Sequence, residues 1–208
     1  MPDRQEQRDR GSMDAMKDEK YKAHLLQNVR EHTEFLRLLR SEEVLSYLEI
    51  GSMYGGSLWR TANYLPKGSR IVSIDYMVDT PEAKHSLQAC VMELNDIGYD
   101  AHLIFGDSAS PEIIEMAAAL GPYDCVFIDG AHTLEAVTND WDNYGSMGRL
   151  VAFHDISWND TWKSSVPGRV SKPMGVPELW QSLKKNYKHV EFQYQVPCNY
   201  YGIGVLWK

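Results

Sequence analysis

Short apolar runs alternate with amphipathic stretches through most of this chain. Five of these runs predict β-strands, which end near Ile50, Asp75, Phe105, Asp129 and His154. Between them, apolar residues recur every three or four positions, which is typical of helices that bury one face. Because the five runs are apolar throughout, we expect their strands to form a parallel sheet that is covered on both faces.

The two ends of the chain depart from this alternation. Residues 21–40 have apolar positions at helical spacing and predict an amphipathic helix before the sheet. Its apolar face could cover the sheet, cap a ligand or pair with a second copy of the chain in a homo-oligomer. Residues 189–194 and 201–207 predict two strands that pair antiparallel at one sheet edge. The predicted fold class is therefore α/β: a Rossmann-like, doubly wound, mostly parallel seven-stranded sheet with an antiparallel edge strand and helices on both faces.

The chain divides into three parts by composition. Residues 1–20 carry charges of both signs and lack Leu, Ile, Val and aromatic residues, which predicts a disordered tail. Because Gly11-Ser12-Met13 resembles a cloning remnant, the tail could also be an added one. A helical segment over 21–43 and one domain over 44–208 follow. Within that domain, residues 156–174 lack periodicity and contain two tryptophans, which favours a loop with a functional role.

Charge and cysteine content narrow the classes of partner. The 208 residues have a formal net charge of -8 and no Lys/Arg-rich block, which argues against nucleic acid or an anionic membrane surface as the partner. No apolar run approaches the length of a membrane span. Cys90, Cys125 and Cys198 are scattered and odd in number, so we expect reduced thiols in a cytoplasmic protein. A small molecule is the expected partner.

Polar residues follow each of the five predicted strands. They are Glu49 and Gly51, then Asp75, then Asp107, then Asp129, and finally His154 with Asp155. In an open parallel sheet, ligands bind beyond the carboxyl ends of the strands, so these side chains are expected to converge on one site.

The turn after the first strand suits an anionic or zwitterionic ligand. Gly51 and Gly55 permit a close backbone approach, and the helix that begins near Ser57 presents its positive end. The turn lacks the G-x-G-x-x-G spacing of dinucleotide-binding proteins, because Met53 stands in place of the middle glycine.

A set of ordered motifs resembles one family. The motifs are Leu48–Ser57, Ile74-Asp75, Gly106–Ser108, Phe127–His132, Phe153–Ile156 and Gly175–Trp180. They resemble the class I S-adenosylmethionine-dependent methyltransferases, in the branch of cephalosporin-hydroxylase-like proteins and sugar and macrolide O-methyltransferases. The resemblance covers roughly residues 44–185, so 44–208 is expected to be the methyltransferase domain.

The resemblance implies where the cofactor lies. Glu49 and the glycine turn would hold its methionine part, Asp75 its ribose hydroxyls, and Asp107 with Ser108 its adenine. Asp107 and Ser108 would serve equally well as caps of the following helix. The predicted cofactor-binding set is Glu49, Gly51, Ser52, Gly55, Ser57, Asp75, Asp107, Ser108 and Asp129.

A divalent cation is the second implied cofactor. Asp129 and Asp155 resemble the positions at which metal-dependent enzymes of this branch bind Mg²⁺, and two carboxylates that face one site repel unless a cation lies between them. His154 departs from the pattern, because those enzymes have a further acid there and an imidazole suits softer ions. Adjacent strand residues point to opposite faces, so His154 and Asp155 share the site only if the strand ends between them. The predicted metal set is Asp129, His154 and Asp155, with Mg²⁺ or another divalent ion.

The same motifs contain two candidate general bases. His132 and His154 both have an ordinary pKa near neutrality, and with Asp129 they form the predicted catalytic set. His132 could instead cap the next helix.

Three functions are compatible with these residues. The first is S-adenosylmethionine-dependent O-methylation of a small acceptor, such as a carbohydrate or natural product. The alternatives are an NAD-type Rossmann oxidoreductase and a non-catalytic methyltransferase-like binding module. Aromatic and basic residues in the long loop suit a sugar or a flat acidic acceptor, or pack on the sheet; they are Trp158, Trp162, Lys163, Arg169 and Lys172.

Overall fold

The computed structural model describes residues 25–76, 81–157, 174–194 and 201–208. Within these ranges the helices are α1 Val29–Ser41, α2 Gly56–Tyr64, α3 Pro81–Asp96, α4 Pro111–Leu120, α5 Leu134–Tyr144 and α6 Val176–Leu183. The strands are β1 Ser46–Ile50, β2 Arg70–Asp75, β3 Asp100–Phe105, β4 Tyr123–Ile128, β5 Gly148–His154, β6 Lys188–Phe192 and β7 Ile203–Trp207.

The strands form one seven-stranded sheet in the order β3-β2-β1-β4-β5-β7-β6. Strands β1 to β5 pair in parallel, and β7 pairs antiparallel with both β5 and β6. The predicted fold class is confirmed, with the detail that the antiparallel strand β7 lies one position inside the edge. Strand order reverses beside β1 and β4, and ligand sites of doubly wound sheets lie at such a point.

Apolar layers cover both faces of the sheet. Phe127 packs in one layer with Phe35 and Trp59, whereas its neighbour Val126 packs in the other layer with Trp180. Because consecutive strand residues point to opposite faces, burial on both faces requires the uninterrupted apolar runs seen in the sequence.

The N-terminal helix is shorter than its hydrophobic pattern predicts. It begins at Val29, and residues 25–28 of the predicted helix are not helical, because the Asn28 side chain accepts hydrogen bonds from the backbone N–H groups of Arg30 and Glu31 and so caps the helix. The face that includes Phe35 is buried, so α1 covers the sheet.

Several predicted features lie outside the described residues. They are the tail over 1–20, residues 21–24 of the predicted helix, Cys198, and the loop residues Trp158, Trp162, Lys163, Arg169 and Lys172. Cys90 and Cys125 are buried and are not joined in a disulfide. None of the helices in the described part of the chain combines the length and apolar character that a membrane span requires.

Candidate functional site

The turn between β1 and α2 depends on its glycines. Gly51 has φ of +90°, and a Cβ at this position would lie 2.2 Å from the backbone oxygen of Asp129. Gly55 has φ of +87° and directly precedes α2. The backbones of the turns after β1 and β4 therefore meet at a distance that only glycine allows.

Glu49 lies beneath this turn and stabilises it through hydrogen bonds. Its side chain is fully buried and accepts hydrogen bonds from the Tyr47 hydroxyl at 2.7 Å and the Ser57 hydroxyl at 2.6 Å. Burial raises the pKa of Glu49 to about 7, although the hydrogen bonds from Ser57 and Tyr47 oppose the shift. Both carboxylate oxygens are thus engaged inside the protein, where they hold the first residues of α2.

Asp75 joins the end of β2 to the same turn. Its Oδ2 accepts a hydrogen bond from the backbone N–H of Met53 at 2.7 Å. The Ser73 hydroxyl also donates to the Ser52 hydroxyl at 2.8 Å. The structure therefore brings Gly51, Ser52 and Asp75 into one patch at the carboxyl ends of β1 and β2.

A cavity of about 210 Å³ lies between the loop after β3 and the first turns of α5. Its lining residues are Asp107, Ser108, Ala109, Ala131, Thr133, Glu135, Ala136, Asn139 and Asp140. Asp107 is exposed and accepts a hydrogen bond from the backbone N–H of Ala109 at 3.0 Å, which shapes the loop.

Asp140 is a cavity residue that sequence reasoning missed. It is 2% exposed, and burial raises its pKa to about 6 against the opposing hydrogen bond from Ser108. Asp140 lies three residues after the buried Val137, so its place on the inward face of α5 was a signal that the sequence already contained.

The second half of the site is a cluster of Asp129, His154 and Asp155. His154 Nδ1 lies 3.1 Å from Asp129 Oδ1 and 3.2 Å from Asp155 Oδ1. Strand β5 ends at His154, and Asp155 has φ of +63°. This left-handed residue breaks the strand alternation, so two consecutive side chains point into one site.

Burial and the neighbouring charges have opposite effects on the pKa of His154. Burial alone would lower its pKa, but the charges of Asp129 and Asp155 raise it well above the ordinary value. Burial would likewise raise the pKa of Asp155, but the neighbouring imidazoles of His154 and His132 hold it well below its usual range. Tyr201 stacks on the His154 ring at a centroid distance of 5.5 Å and an interplanar angle of 21°.

His132 lies on the accessible side of the cluster. Its Nε2 is 2.7 Å from Asp155 Oδ2 and 3.9 Å from Asp129 Oδ1, and 39% of its side chain is exposed. Burial would lower its pKa, but the hydrogen bond to Asp155 and the charges of Asp155 and Asp129 together outweigh this effect and raise the pKa. His132 is not the cap of α5, because the Thr133 hydroxyl accepts the hydrogen bond from the backbone N–H of Ala136.

The donor set fits a divalent cation. Asp129, His154 and Asp155 each offer one ligand atom, and these atoms lie within 4.8 Å of one another. For an ion with bonds of about 2.1 Å, adjacent ligands of an octahedral site lie about 3.0 Å apart, close to the two distances from His154 Nδ1. Asp155 Oδ1 is buried, and its contact with His154 Nδ1 at 3.2 Å does not have hydrogen-bond geometry. One imidazole with two carboxylates suits a transition metal better than Mg²⁺.

Gln27 is the other site residue that the sequence did not reveal. Its side-chain amide donates a hydrogen bond to Asp129 Oδ2, although the two residues are 102 positions apart. Glutamine before a helix has no motif of its own, so no signal in the sequence indicated this contact.

Comparisons with known proteins agree with this geometry. Residues 48–156, just over half of the chain, match a family model described as a methyltransferase domain. No curated protein matches the chain. One similar solved structure is the O-methyltransferase TomG from Streptomyces achromogenes, which is involved in tomaymycin synthesis and was solved in complex with SAM. It is 18% identical to this chain, with a TM-score of 0.62, and the match covers 88% of this chain and 81% of TomG. The O-methyltransferase from Bacillus cereus, solved with SAH, is 13% identical over 88% of this chain and 82% of that one, with a TM-score of 0.63. At such identities the two structures establish a shared fold.

Proposed function

The chain belongs to the methyltransferase domain family, and from this premise we propose that it transfers a methyl group from S-adenosylmethionine to an oxygen of a small acceptor, such as a carbohydrate or another natural product. The observation that carries the proposal is the convergence of the glycine turn, Asp75 and the Asp129–His154–Asp155 cluster at the carboxyl ends of neighbouring strands. A cofactor bound along the turn would end beside an acceptor bound at the cluster.

The proposed cofactor lies across the ends of β1, β2 and β3. Gly51 and Gly55 give the turn its left-handed, tightly packed backbone, and the N-terminus of α2 that follows favours the carboxylate of the methionine end. Asp75 is proposed to accept hydrogen bonds from the ribose hydroxyls, which suits a carboxylate at the end of the second strand. The adenine is proposed to lie in the cavity beside Asp107 and Ser108.

Glu49 has a supporting part in this proposal. Its carboxyl group is buried under the turn and holds Ser57, so it shapes the methionine site from below. When bound, S-adenosylmethionine would supply an electrophilic methyl carbon on a sulfonium: attack by the acceptor oxygen, in line with the C–S bond, would break that bond and release S-adenosylhomocysteine. The protein contributes alignment of the acceptor, exclusion of water and a base for the acceptor proton.

His132 is the proposed base. Its Nε2–H donates to Asp155 Oδ2, which leaves Nδ1 as the basic nitrogen that accepts a proton from the acceptor hydroxyl. Asp155 thus orients the ring and stabilises the imidazolium that forms. His154 is less suited to this part, because it is 5% exposed and its Nδ1 lies between two carboxylates.

Asp129, His154 and Asp155 are proposed to hold a divalent cation, with the imidazole favouring an ion such as Mn²⁺ over Mg²⁺. When bound, a cation of this kind makes an acceptor hydroxyl more acidic and fixes its orientation.

Calorimetric titration with S-adenosylhomocysteine tests the cofactor site. We expect binding to the full-length protein, weakened about 10- to 100-fold in Asp75→Asn because a charge-assisted hydrogen bond is lost. Asp142→Asn, on the exposed side of α5, is the matched control and should bind normally. Absence of binding to the wild-type protein, with and without Mn²⁺, would refute the proposal.

A turnover assay separates the alternatives. Release of S-adenosylhomocysteine is measured over a panel of sugars and hydroxylated natural products, with Mn²⁺, with Mg²⁺ and with a chelator. Cofactor binding without turnover on any acceptor would favour a non-catalytic binding module. Thermal protection by NAD but not by S-adenosylmethionine would favour the oxidoreductase.

A further inference from the structure

Gln27 lies before the first turn of α1, yet its side chain reaches the acidic cluster at the end of β4. We propose that Gln27 is a positioning residue of the candidate cation site: it holds Asp129 so that one chosen carboxylate oxygen faces His154 and the ion. The role of Gln27 rests on the cation site of the proposed function and extends that site to the N-terminal segment.

The two oxygens of Asp129 have separate partners. Oδ2 accepts the hydrogen bond from Gln27 Nε2, whereas Oδ1 lies 3.1 Å from His154 Nδ1. A carboxylate can turn about its side-chain bonds, and a donor on one oxygen limits that rotation. Gln27 therefore determines which oxygen of Asp129 is presented to the ion.

The chemistry of an amide suits this task. Gln27 is 8% exposed, so its hydrogen bond lies in a site with little competing water. An amide donates without a positive charge, so it orients Asp129 without neutralising the charge that attracts a cation. Outer partners of this kind typically change metal affinity about 10- to 100-fold.

Helix α1, which begins two residues after Gln27, is anchored to the rest of the protein. The Asn28 side chain caps the helix, and the buried Glu31 carboxylate accepts hydrogen bonds from the backbone N–H groups of Tyr194 and Gly202, both at 2.9 Å. The helix is thus tied to the residues after β6 and before β7, and Tyr201, next to Gly202, stacks on His154. Gln27 is presented to Asp129 from an anchored element.

The test is Mn²⁺ binding to the full-length protein, measured by electron paramagnetic resonance and by calorimetry. Gln27→Met keeps the length of the side chain but removes the donor, and Gln27→Ala removes the side chain. We expect both variants to bind Mn²⁺ at least about ten-fold more weakly, with unchanged affinity for S-adenosylhomocysteine. Asn28→Ala is the matched control: it removes the cap of α1 and lowers the melting temperature, but should retain the Mn²⁺ affinity.

Three results would overturn the inference, and they are distinguishable. Wild-type Mn²⁺ affinity in Gln27→Met would show that Asp129 needs no such partner. Equal weakening in Asn28→Ala would show that the effect comes from helix stability. Failure of the wild-type protein to bind Mn²⁺ would remove the cation site itself, whereas the titration with S-adenosylhomocysteine reports separately on the cofactor part of the proposed function.

Discussion

Glu49 permits a quantitative prediction about stability, because it is an acid buried beneath the glycine turn. Burial raises its pKa in the folded protein to about 7, compared with 4.5 for the ordinary value. The folded state therefore binds the proton more tightly than the unfolded state, and stability falls as the pH rises from 4.5 to 7. A shift of about 2.5 units corresponds to about 3 kcal/mol, because one unit is worth about 1.36 kcal/mol. From about pH 8 upward this loss is complete and constant.

The Glu49→Gln substitution removes the ionisation and keeps the shape. The Tyr47 and Ser57 hydroxyls can each donate or accept, so the amide can be accommodated in the same place. We expect the two proteins to have similar free energies of unfolding near pH 4.5. At pH 8 the variant should gain up to about 3 kcal/mol relative to the wild type.

Urea unfolding of both proteins at several pH values between 4.5 and 8 measures this difference directly. Subtracting the two curves cancels the titration of all other groups. Glu115→Gln, on the exposed side of α4, is the matched control and should change stability by less than about 0.5 kcal/mol at every pH. A Glu49→Gln difference that is constant across this pH range would refute the reasoning, because it would mean that Glu49 ionises equally easily in the folded and unfolded chain.

Three further substitutions test other parts of the structure. His132→Ala should lower kcat about 10²- to 10⁴-fold, because the proposed base is lost, with unchanged affinity for S-adenosylhomocysteine in calorimetry; normal turnover would exclude His132 as the base. Glu31→Gln should lower the free energy of unfolding by about 2 kcal/mol in urea, because two backbone donors lose a charged acceptor; an unchanged midpoint would contradict this. Gly51→Ala should lower the free energy of unfolding by more than about 2 kcal/mol and abolish cofactor binding. The reason is that both the φ of +90° and the contact with the Asp129 backbone disfavour a Cβ at this position. Gly68 has a similar φ of +84° but open space around it, so Gly68→Ala measures the backbone strain without the contact.

The fold followed from local patterns in the sequence. Uninterrupted apolar runs predicted a sheet buried on both faces, because strands of that kind need apolar side chains on each side. The capping and turn residues located most helix starts. The exception was α1, where apolar spacing extended past the start at Asn28 because spacing alone does not reveal a cap.

The sequence by itself determined the strand ends, and with them the residues of the candidate site, because carboxyl ends of parallel strands share one edge of the sheet. Only the tertiary structure decided how those residues meet. The left-handed backbone of Asp155 brings its side chain next to His154 and toward Asp129. Glu49 is buried under the turn and binds Ser57, and Gln27, just before α1, donates a hydrogen bond to Asp129. Such contacts depend on packing between elements far apart in the chain, whereas a sequence pattern reports only on near neighbours.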